Sequence, residues 1–451
     1  MRISSSQIYD IGLRNMGRNQ SQLARLQDQL STGRRMLTPA DDPIAAAQAL
    51  TLTQSKEVAT QYVANQLDAR DKLRLADTQL GSLTNVLQGV RSRLVQAGST
   101  ILSDSDRQAM AGELSASMEE ILGLANSRTP AGEYLFSGYQ GEVVPFVRSA
   151  ASASAGATPQ IAYLGDDGQR LVQVASSQTM ATNVAGSELL MNIREGNGSF
   201  ATAATGNSAG IANQGSGMID IGSVLDMQKW QSALEGGFPW QGTSNRALEI
   251  RFTAPGGVKS YQIFDVSQPA PPAAAIPATA VSTVTPFAAG QAIPLLTTTQ
   301  PPATPVNTDF GAQVVINGLP VDGDTFTIRP SANKSVFSTI QDSIDLLNTP
   351  LTASDKRVEY SGKLQNLLTN LDNAMANIGR TQASVGSRLQ ALDSLSESAS
   401  SLDIQYQQTL SDLQDLDYAK AISDFTRSQM SLEAAQKSYV QISGLSLFKY
   451  I

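Results

Sequence analysis

Cysteine and histidine are both missing from this chain of 451 residues. Without cysteine no disulfide forms, and the redox compartment stays unspecified. Without an imidazole the Ser-His-Asp and Cys-His arrangements are excluded, as are zinc sites built on His or Cys. Chemistry resting on carboxylates, lysine or tyrosine stays open. Charge is sparse: 16% of residues are charged, against roughly 25% in ordinary soluble domains. Positive charge is the scarcer sign, with 32 basic against 40 acidic side chains and a net −8. No basic run offsets this, so binding to nucleic acid, which needs clustered Lys and Arg, is not expected. Long apolar runs are also lacking, so no transmembrane helix and no membrane insertion are expected. The start, Met1-Arg2-Ile3-Ser4-Ser5-Ser6-Gln7, lacks the apolar stretch of a cleaved secretory signal. Export would have to use another route.

Proline is absent from 51–129 and from 351–451, while nine of the nineteen lie in 269–305. Proline inside a helix costs about 3 kcal/mol, so helix-forming ends enclose an interrupted middle. Leu73, Ala76, Leu80, Leu83, Leu87, Val90, Leu94, Ala97 and Ile101 alternate spacings of three and four, the heptad pattern of a coiled-coil seam. A continuous helix over 50–125 would be about 110 Å long, too long for one compact globule. A break is expected near Ser103-Asp104-Ser105-Asp106, after which Met110, Leu114, Ile121 and Ala125 prolong the stripe. The facing seam is expected from Leu371, Met375, Ile378, Val385, Leu389 and Leu392, with Gln382 as a polar interruption. It shifts register and resumes at Leu395, Ala399, Leu402, Tyr406, Leu413 and Leu416, an offset that overwinds a coiled coil locally.

Near the N-terminus Leu23, Leu26 and Leu30 share a helix face. Gly33 suits a left-handed residue closing that helix, and Asp42 followed by Pro43 suits the start of the next. At the other end Tyr418, Ile422, Phe425, Leu432 and Tyr439 form one stripe. These residues, with Leu445, Leu447 and Phe448 of the tail, are the candidate assembly and partner-contact residues. Whether the stripes of 1–30 and 418–451 close within the chain or between subunits stays open. A lone helix pair has little core and marginal stability, so these ends are expected to be largely disordered alone and to fold when neighbours pack on them.

The middle reads as mostly β. Gln160–Leu164 and Leu171–Val174 are expected to pair as a hairpin turning at Asp166-Asp167-Gly168. Leu248–Phe252, Tyr261–Phe264, Val314–Ile316 and Thr325–Ile328 read as strands, the last two joined through Asp322-Gly323-Asp324. Residues 194–217 read as loop, and 269–305 as a linker or loop-rich sheet edge. Bland readings outweigh sharp ones here. Asp41-Asp42 suits helix capping better than a metal site, and Asp322-Gly323-Asp324 lacks the twelve-residue loop of a calcium site. Arg34-Arg35 could meet a partner carboxylate or sit solvated at a helix end. Trp230 and Trp240 suit a local core better than an outer ligand contact. No catalytic, cofactor or metal residue is nominated.

The segment Gln29-Leu30-Ser31-Thr32-Gly33-Arg34-Arg35 with Pro39-Ala40-Asp41-Asp42-Pro43-Ile44-Ala45-Ala46 resembles the opening of bacterial flagellins and their junction proteins. Asn126-Ser127 with Gly132–Tyr139, and Asp415-Leu416-Asp417-Tyr418-Ala419-Lys420-Ala421-Ile422, resemble later parts of the same superfamily. The likeness covers roughly 1–175 and 330–451. Met1-Arg2-Ile3-Ser4, Ala181–Ser187 and the tail Gly444-Leu445-Ser446-Leu447-Phe448-Lys449-Tyr450-Ile451 resemble the junction-protein branch more than filament flagellins.

The resemblance implies an α+β fold: a long antiparallel helical bundle or coiled coil from both termini, with a central mainly-β outer domain. It implies a terminal inner-tube domain of 1–45 with 403–451, a helical core of 46–185 with 332–402 carrying a β-hairpin, and an outer domain of 186–331. It further implies a non-enzymatic adaptor of the flagellum, exported by the type III route and lying outside the cell. Hook-associated protein 1, flagellin, copies of itself in a ring and a cytoplasmic export chaperone would be its partners. A filament-forming flagellin is the first alternative. A secreted enzyme with a carboxylate site, such as a glycosidase, is the second, though no carboxylate pair here has supporting context.

Overall fold

The computed structural model describes residues 5–99, 102–149, 160–206, 212–235, 246–254, 257–267, 278–298, 307–351 and 354–444. The fold is α+β, with long helices at both ends of the chain and strands between. The helices are α1 (Ser5–Thr32), α2 (Pro43–Ala97), α3 (Asp104–Ala125), α4 (Met227–Glu235), α5 (Val336–Asn348), α6 (Ser354–Gln414) and α7 (Tyr418–Gly444). The first strands are β1 (Phe146–Arg148), β2 (Ile161–Tyr163), β3 (Leu171–Ala175), β4 (Gln178–Ala181), β5 (Ile193–Arg194), β6 (Phe200–Ala204), β7 (Met218–Ile219) and β8 (Ser223–Val224). Then come β9 (Leu248–Thr253), β10 (Ser260–Asp265), β11 (Thr279–Ala280), β12 (Thr285–Pro286), β13 (Ala292–Thr298), β14 (Asn307–Asn317), β15 (Thr325–Pro330) and β16 (Asn333–Lys334). Two compact units emerge: Met1–Asp68 with Gln173–Thr179 and Ala391–Ile451, and Ala69–Val172 with Met180–Gln390.

In the second unit the heptad seam is fully buried between helices. Leu73, Leu80, Leu83, Leu87, Val90 and Leu94 have no exposed surface, and Ala76 and Ala97 are 1% exposed. Burying each such Leu or Val contributes about 1.5–3 kcal/mol. Ile101 lies outside the described residues. The facing surface of α6 is Leu371, Ile378 and Val385, fully buried, with Met375 and Leu389 half-buried. It begins earlier than expected, through Tyr360, Leu364 and Leu367, and also takes in Ala374. The two helices run antiparallel. The Tyr360 hydroxyl donates to the Ala97 carbonyl at 3.0 Å, Arg91 donates to both Asp372 oxygens at 2.6 and 3.2 Å, and Gln382 donates to Asp77 at 3.0 Å. The polar break in the seam is thus satisfied by its own partner.

The helix over 50–125 is interrupted where the Ser-Asp-Ser-Asp run falls. Ser103 and Asp106 form a reciprocal capping box that starts α3. The buried Met110, Leu114, Ile121 and Ala125 of α3 continue the apolar stripe, and α3 packs on α5.

Two β expectations need correction. β2 does not pair with β3; it pairs antiparallel with β1, and β3 pairs with β4. The Asp166 carboxylate accepts from the N–H groups of Tyr139 and Gly168, both at 2.8 Å. It therefore organises a loop crossing rather than a hairpin turn. β14 and β15 form as expected and are joined through the turn at Asp322-Gly323, each lying in its own sheet. Their connection is tied by Asp324, whose buried carboxylate accepts from the N–H groups of Gln214, Gly215 and Val321. Residues 194–217, read as loop, contain β6, which lies on β15. The stretch 269–305 contributes β11, β12 and β13 as sheet edges.

One sheet runs β11-β10-β9-β15-β6 with β12 also on β10; the other runs β13-β14-β7 with β8 also on β14. Their facing sides share one core with α4: Phe200, Trp230, Leu248, Ile250, Val314, Ile316, Phe326 and Ile328 among others. Trp230 is a core residue, 1% exposed and 5.2 Å from the Phe200 ring. Trp240 lies outside the described residues.

A row of asparagines on α6 seats the chain leading into this sandwich. Asn377 donates to the Glu188 and Leu189 carbonyls at 2.7 and 3.1 Å, and Asn373 to those of Arg194 and Gly196 at 3.0 and 2.8 Å. Asn370 accepts from the Gly196 N–H at 3.0 Å, and Asn366 donates to the Thr202 carbonyl at 2.7 Å. The spacing of four, three and four keeps all of them on one helix face.

Candidate assembly surface

All described candidate assembly residues fall in the first unit, on α1 and α7. These two helices pack side by side. On α1 the half-buried positions include Gly12, Met16, Asn19, Leu23, Leu26 and Leu30, again at heptad spacing. On α7 they are Phe425, Ser428, Leu432, Ala435 and Tyr439, with Ala421 4% exposed. Gly12 makes room for Tyr439, since a Cβ there would lie 3.3 Å from the ring.

Leu23, Leu26, Leu30, Phe425, Leu432 and Tyr439 therefore meet inside one chain, each only half-covered. Tyr418 and Ile422 do not share that covered stripe and are 52% and 54% exposed. Leu445, Leu447 and Phe448 lie outside the described residues. Other apolar side chains exposed in this unit are Ile11, Leu13, Ile44, Leu50, Val58, Leu67, Ile404, Met430 and Val440. Their signal was present in the sequence as apolar residues off the seam.

The joint between the α1–α7 pair and the α2–α6 pair is built from the motif residues. Gly33 ends α1 with φ +68°, a left-handed conformation that favours glycine. A Cβ there would also meet the Tyr418 hydroxyl at 2.8 Å. Its carbonyl accepts from the Leu416 N–H at 3.0 Å, and the Arg35 N–H donates to the Gln414 carbonyl at 2.8 Å. Arg35 also reaches the Leu413 carbonyl at 2.9 Å and Asp42 at 3.4 Å.

Asp42 caps α2 by accepting from the Ala45 N–H at 3.1 Å. Asp41 accepts from the Leu37 and Thr38 N–H groups, both at 3.0 Å, and from Arg25 at 2.7 Å. The Thr38 N–H holds the Asp41 carboxyl below its ordinary value against the opposing effect of burial, helped by the Leu37 N–H and the Arg25 guanidinium. The pair thus acts in capping. Among the described residues no group of three or more acidic side chains is placed to hold a metal ion, and no helix is long and apolar enough to cross a membrane.

α2 and α6 also lie together in this unit, where Lys56 and Asp403 approach to 3.5 Å. α6 runs unbroken through the expected register shift. Leu395, Ala399, Tyr406 and Leu413 are half-buried there, but Leu402 is 44% exposed. The small residues Ser55, Ala59, Ser398 and Ala399 fill the interface poorly and leave a groove of about 450 Å³ lined by Val58, Tyr62, Leu402 and Tyr406. The β3–β4 turn closes one side. There Gln66 donates to the Val174 carbonyl at 2.7 Å and Asn65 to that of Gln173 at 2.8 Å.

Models of known families match both ends: the bacterial flagellin N-terminal helical region over residues 3–141 and the C-terminal helical region over 368–451. The chain is 32% identical over 193 residues to flagellar hook-associated protein 3 of Salmonella typhimurium. That stretch is 43% of this chain and 58% of the Salmonella protein, so the match spans little more than half of that relative. The structure of hook-associated protein 3 from Legionella pneumophila superposes with a TM-score of 0.65 at 26% identity. It covers 80% of this chain and 98% of that one.

Both ends of the chain match the flagellin superfamily, and the match runs to its hook-associated protein 3 branch. Likeness to filament flagellins is weaker: B-type flagellin of Pseudomonas aeruginosa is 30% identical over 128 residues, which is 26% of its length. The superfamily's N-terminal model ends at residue 141 and its C-terminal model begins at 368. The β sandwich falls between them.

Proposed function

We propose that this protein is a structural adaptor of the bacterial flagellum, joining the hook, through hook-associated protein 1, to the flagellin filament. The observation that carries the reading is the match to hook-associated protein 3 of Legionella over nearly all of that chain. The paired terminal helices support it physically. Their stripes are half-covered within one chain, and large apolar residues stay exposed around them. Burial of such surface is the main driving force of assembly.

On this reading the protein is not an enzyme. It is exported by the type III route and acts outside the cell. Copies stand in a ring, and an export chaperone holds the C-terminal helix beforehand. Residues 1–45 with 403–451 form the inner tube, 46–185 with 332–402 the helical core, and 186–331 the outward domain. Leu23, Leu26, Leu30, Tyr418, Ile422, Phe425, Leu432, Tyr439, Leu445, Leu447 and Phe448 are its assembly contacts.

Deleting the gene and imaging the cells tests the adaptor role. Hooks without filaments, with flagellin shed into the medium, are expected. Normal filaments on normal hooks would reject the role. Long filaments grown from the purified chain alone would instead favour a filament flagellin. Limited proteolysis of the soluble monomer tests whether the ends fold only on assembly; trimming at both ends is expected.

A further inference from the structure

The first unit carries two stripes of opposite charge, both turned to solvent. Residues 11–35 hold five arginines and one aspartate. Ile11, Arg14, Arg18 and Arg25 recur at three-, four- and seven-residue steps, so they share one face of α1. That face is not the one packed on α7, and all four side chains are exposed. Among the described residues Arg14 reaches back only to the Asp10 carbonyl of its own helix, at 3.2 Å, and Arg25 at the end of the stripe is already paired with Asp41 at 2.7 Å. Arg18 has no ion-pair partner among the described residues.

Residues 389–419 hold six carboxylates and no lysine or arginine. Glu397, Ile404, Asp412 and Asp415 fall on neighbouring positions of α6 and just beyond its end, and all are exposed. Asp415 takes the Ser411 hydroxyl at 2.5 Å, whereas Glu397 and Asp412 have no ion-pair partner among the described residues. Each stripe contains one large exposed aliphatic residue, Ile11 at 47% and Ile404 at 56%.

Because both stripes are exposed in the single chain, they do not satisfy each other within it. We infer that the basic face of α1 in one copy docks on the acidic face of α6 in a second copy. Complementary potentials fix which surfaces meet and in what order, while the aliphatic residues supply buried area. The two patches differ, so the contact is heterologous and repeats from copy to copy, closing a ring or winding a helix. This inference rests on the assembly reading above and adds the partner surface.

The test is charge reversal in the full-length chain, expressed in cells lacking the native gene. Arg14→Glu with Arg18→Glu should lower the share of cells bearing filaments about tenfold, through two contacts turned repulsive. Glu397→Lys with Asp412→Lys should do the same. The four changes together should restore filaments. Normal filaments with either pair alone would overturn the inference, as would failure of the combined variant to restore them. That second outcome would point to a different protein as the occupant.

The chain has no cysteine, so single introduced cysteines give an independent measurement. Ser21 and Ser400 are exposed and sit on the same helix faces as Arg14 and Glu397. Ser21→Cys with Ser400→Cys in isolated flagella should yield dimers with a bismaleimide; absence of dimers in normally assembled flagella would overturn the inference. Loss of filaments on gene deletion, together with indifference to charge reversal, would sink this contact and leave the adaptor role intact.

Discussion

The asparagine row on α6 makes a prediction in which two chemically identical substitutions have opposite outcomes. Asn373 donates two hydrogen bonds, to the Arg194 and Gly196 carbonyls at 3.0 and 2.8 Å, whereas Asn370 accepts one from the Gly196 N–H at 3.0 Å. Asn→Asp keeps the shape, removes the donor and adds an acceptor. At Asn373 it deletes two bonds worth about 1 kcal/mol each and sets a carboxylate against two carbonyl oxygens, a loss of about 2–3 kcal/mol. At Asn370 the accepting oxygen remains, so N370D should cost less than about 0.5 kcal/mol. Hydrogen exchange over residues 188–202 reads this out locally. N373D should speed exchange there about thirtyfold, since every ~1.4 kcal/mol of lost protection is a factor of ten. N370D should leave it within about twofold. Equal effects from the two variants, or no effect from N373D, would refute the idea that these side chains hold the segment.

Gly33→Ala should destabilise the joint by about 1–2 kcal/mol, because it combines a left-handed backbone with a clash on Tyr418. Adding Tyr418→Ala should recover only the steric part, as read by protease cleavage between residues 33 and 42 in assembled flagella. The lowered value of Asp41 gives a pH dependence. Its stabilisation is complete above the ordinary value of 3.8 and is lost as pH falls below that through the folded value. Acidification from pH 5 to about 3 should therefore loosen the joint in the native chain more than in D41N, monitored by the same cleavage. Leu83→Ala in the buried seam should cost about 3–5 kcal/mol, whereas Leu402→Ala at the open groove should cost under about 1 kcal/mol; urea melts would compare them.

The helical part of the fold was legible because its signal is periodic and its side chains are large. Leu73 through Ala97 could be read as a seam, and the Ser103–Asp106 run as a stop followed by a cap. Where small residues carry the seam, the reading slipped in phase. The covered stripe of α7 uses Ala421, Ser428 and Ala435 between Phe425, Leu432 and Tyr439, so counting large apolar residues alone drew in Ile422. The strand Phe200-Ala201-Thr202-Ala203-Ala204 was missed for the same reason, since alanine and threonine blur the alternation. The Asp166-Asp167-Gly168 turn misled because its carboxylate is spent on Tyr139, a residue distant in sequence. The asparagine row was in plain view at helical spacing, but only the folded chain brings the carbonyls of 188–202 to it.

The two linkers between the α1–α7 pair and the α2–α6 pair are sewn to each other by main-chain bonds between Gly33 and Leu416 and between Arg35 and Gln414. Two swivels pinned together cannot turn separately. Twist applied to either terminal helix must pass through both strands of the linker at once, so the connection behaves as a stiff coupling for torque.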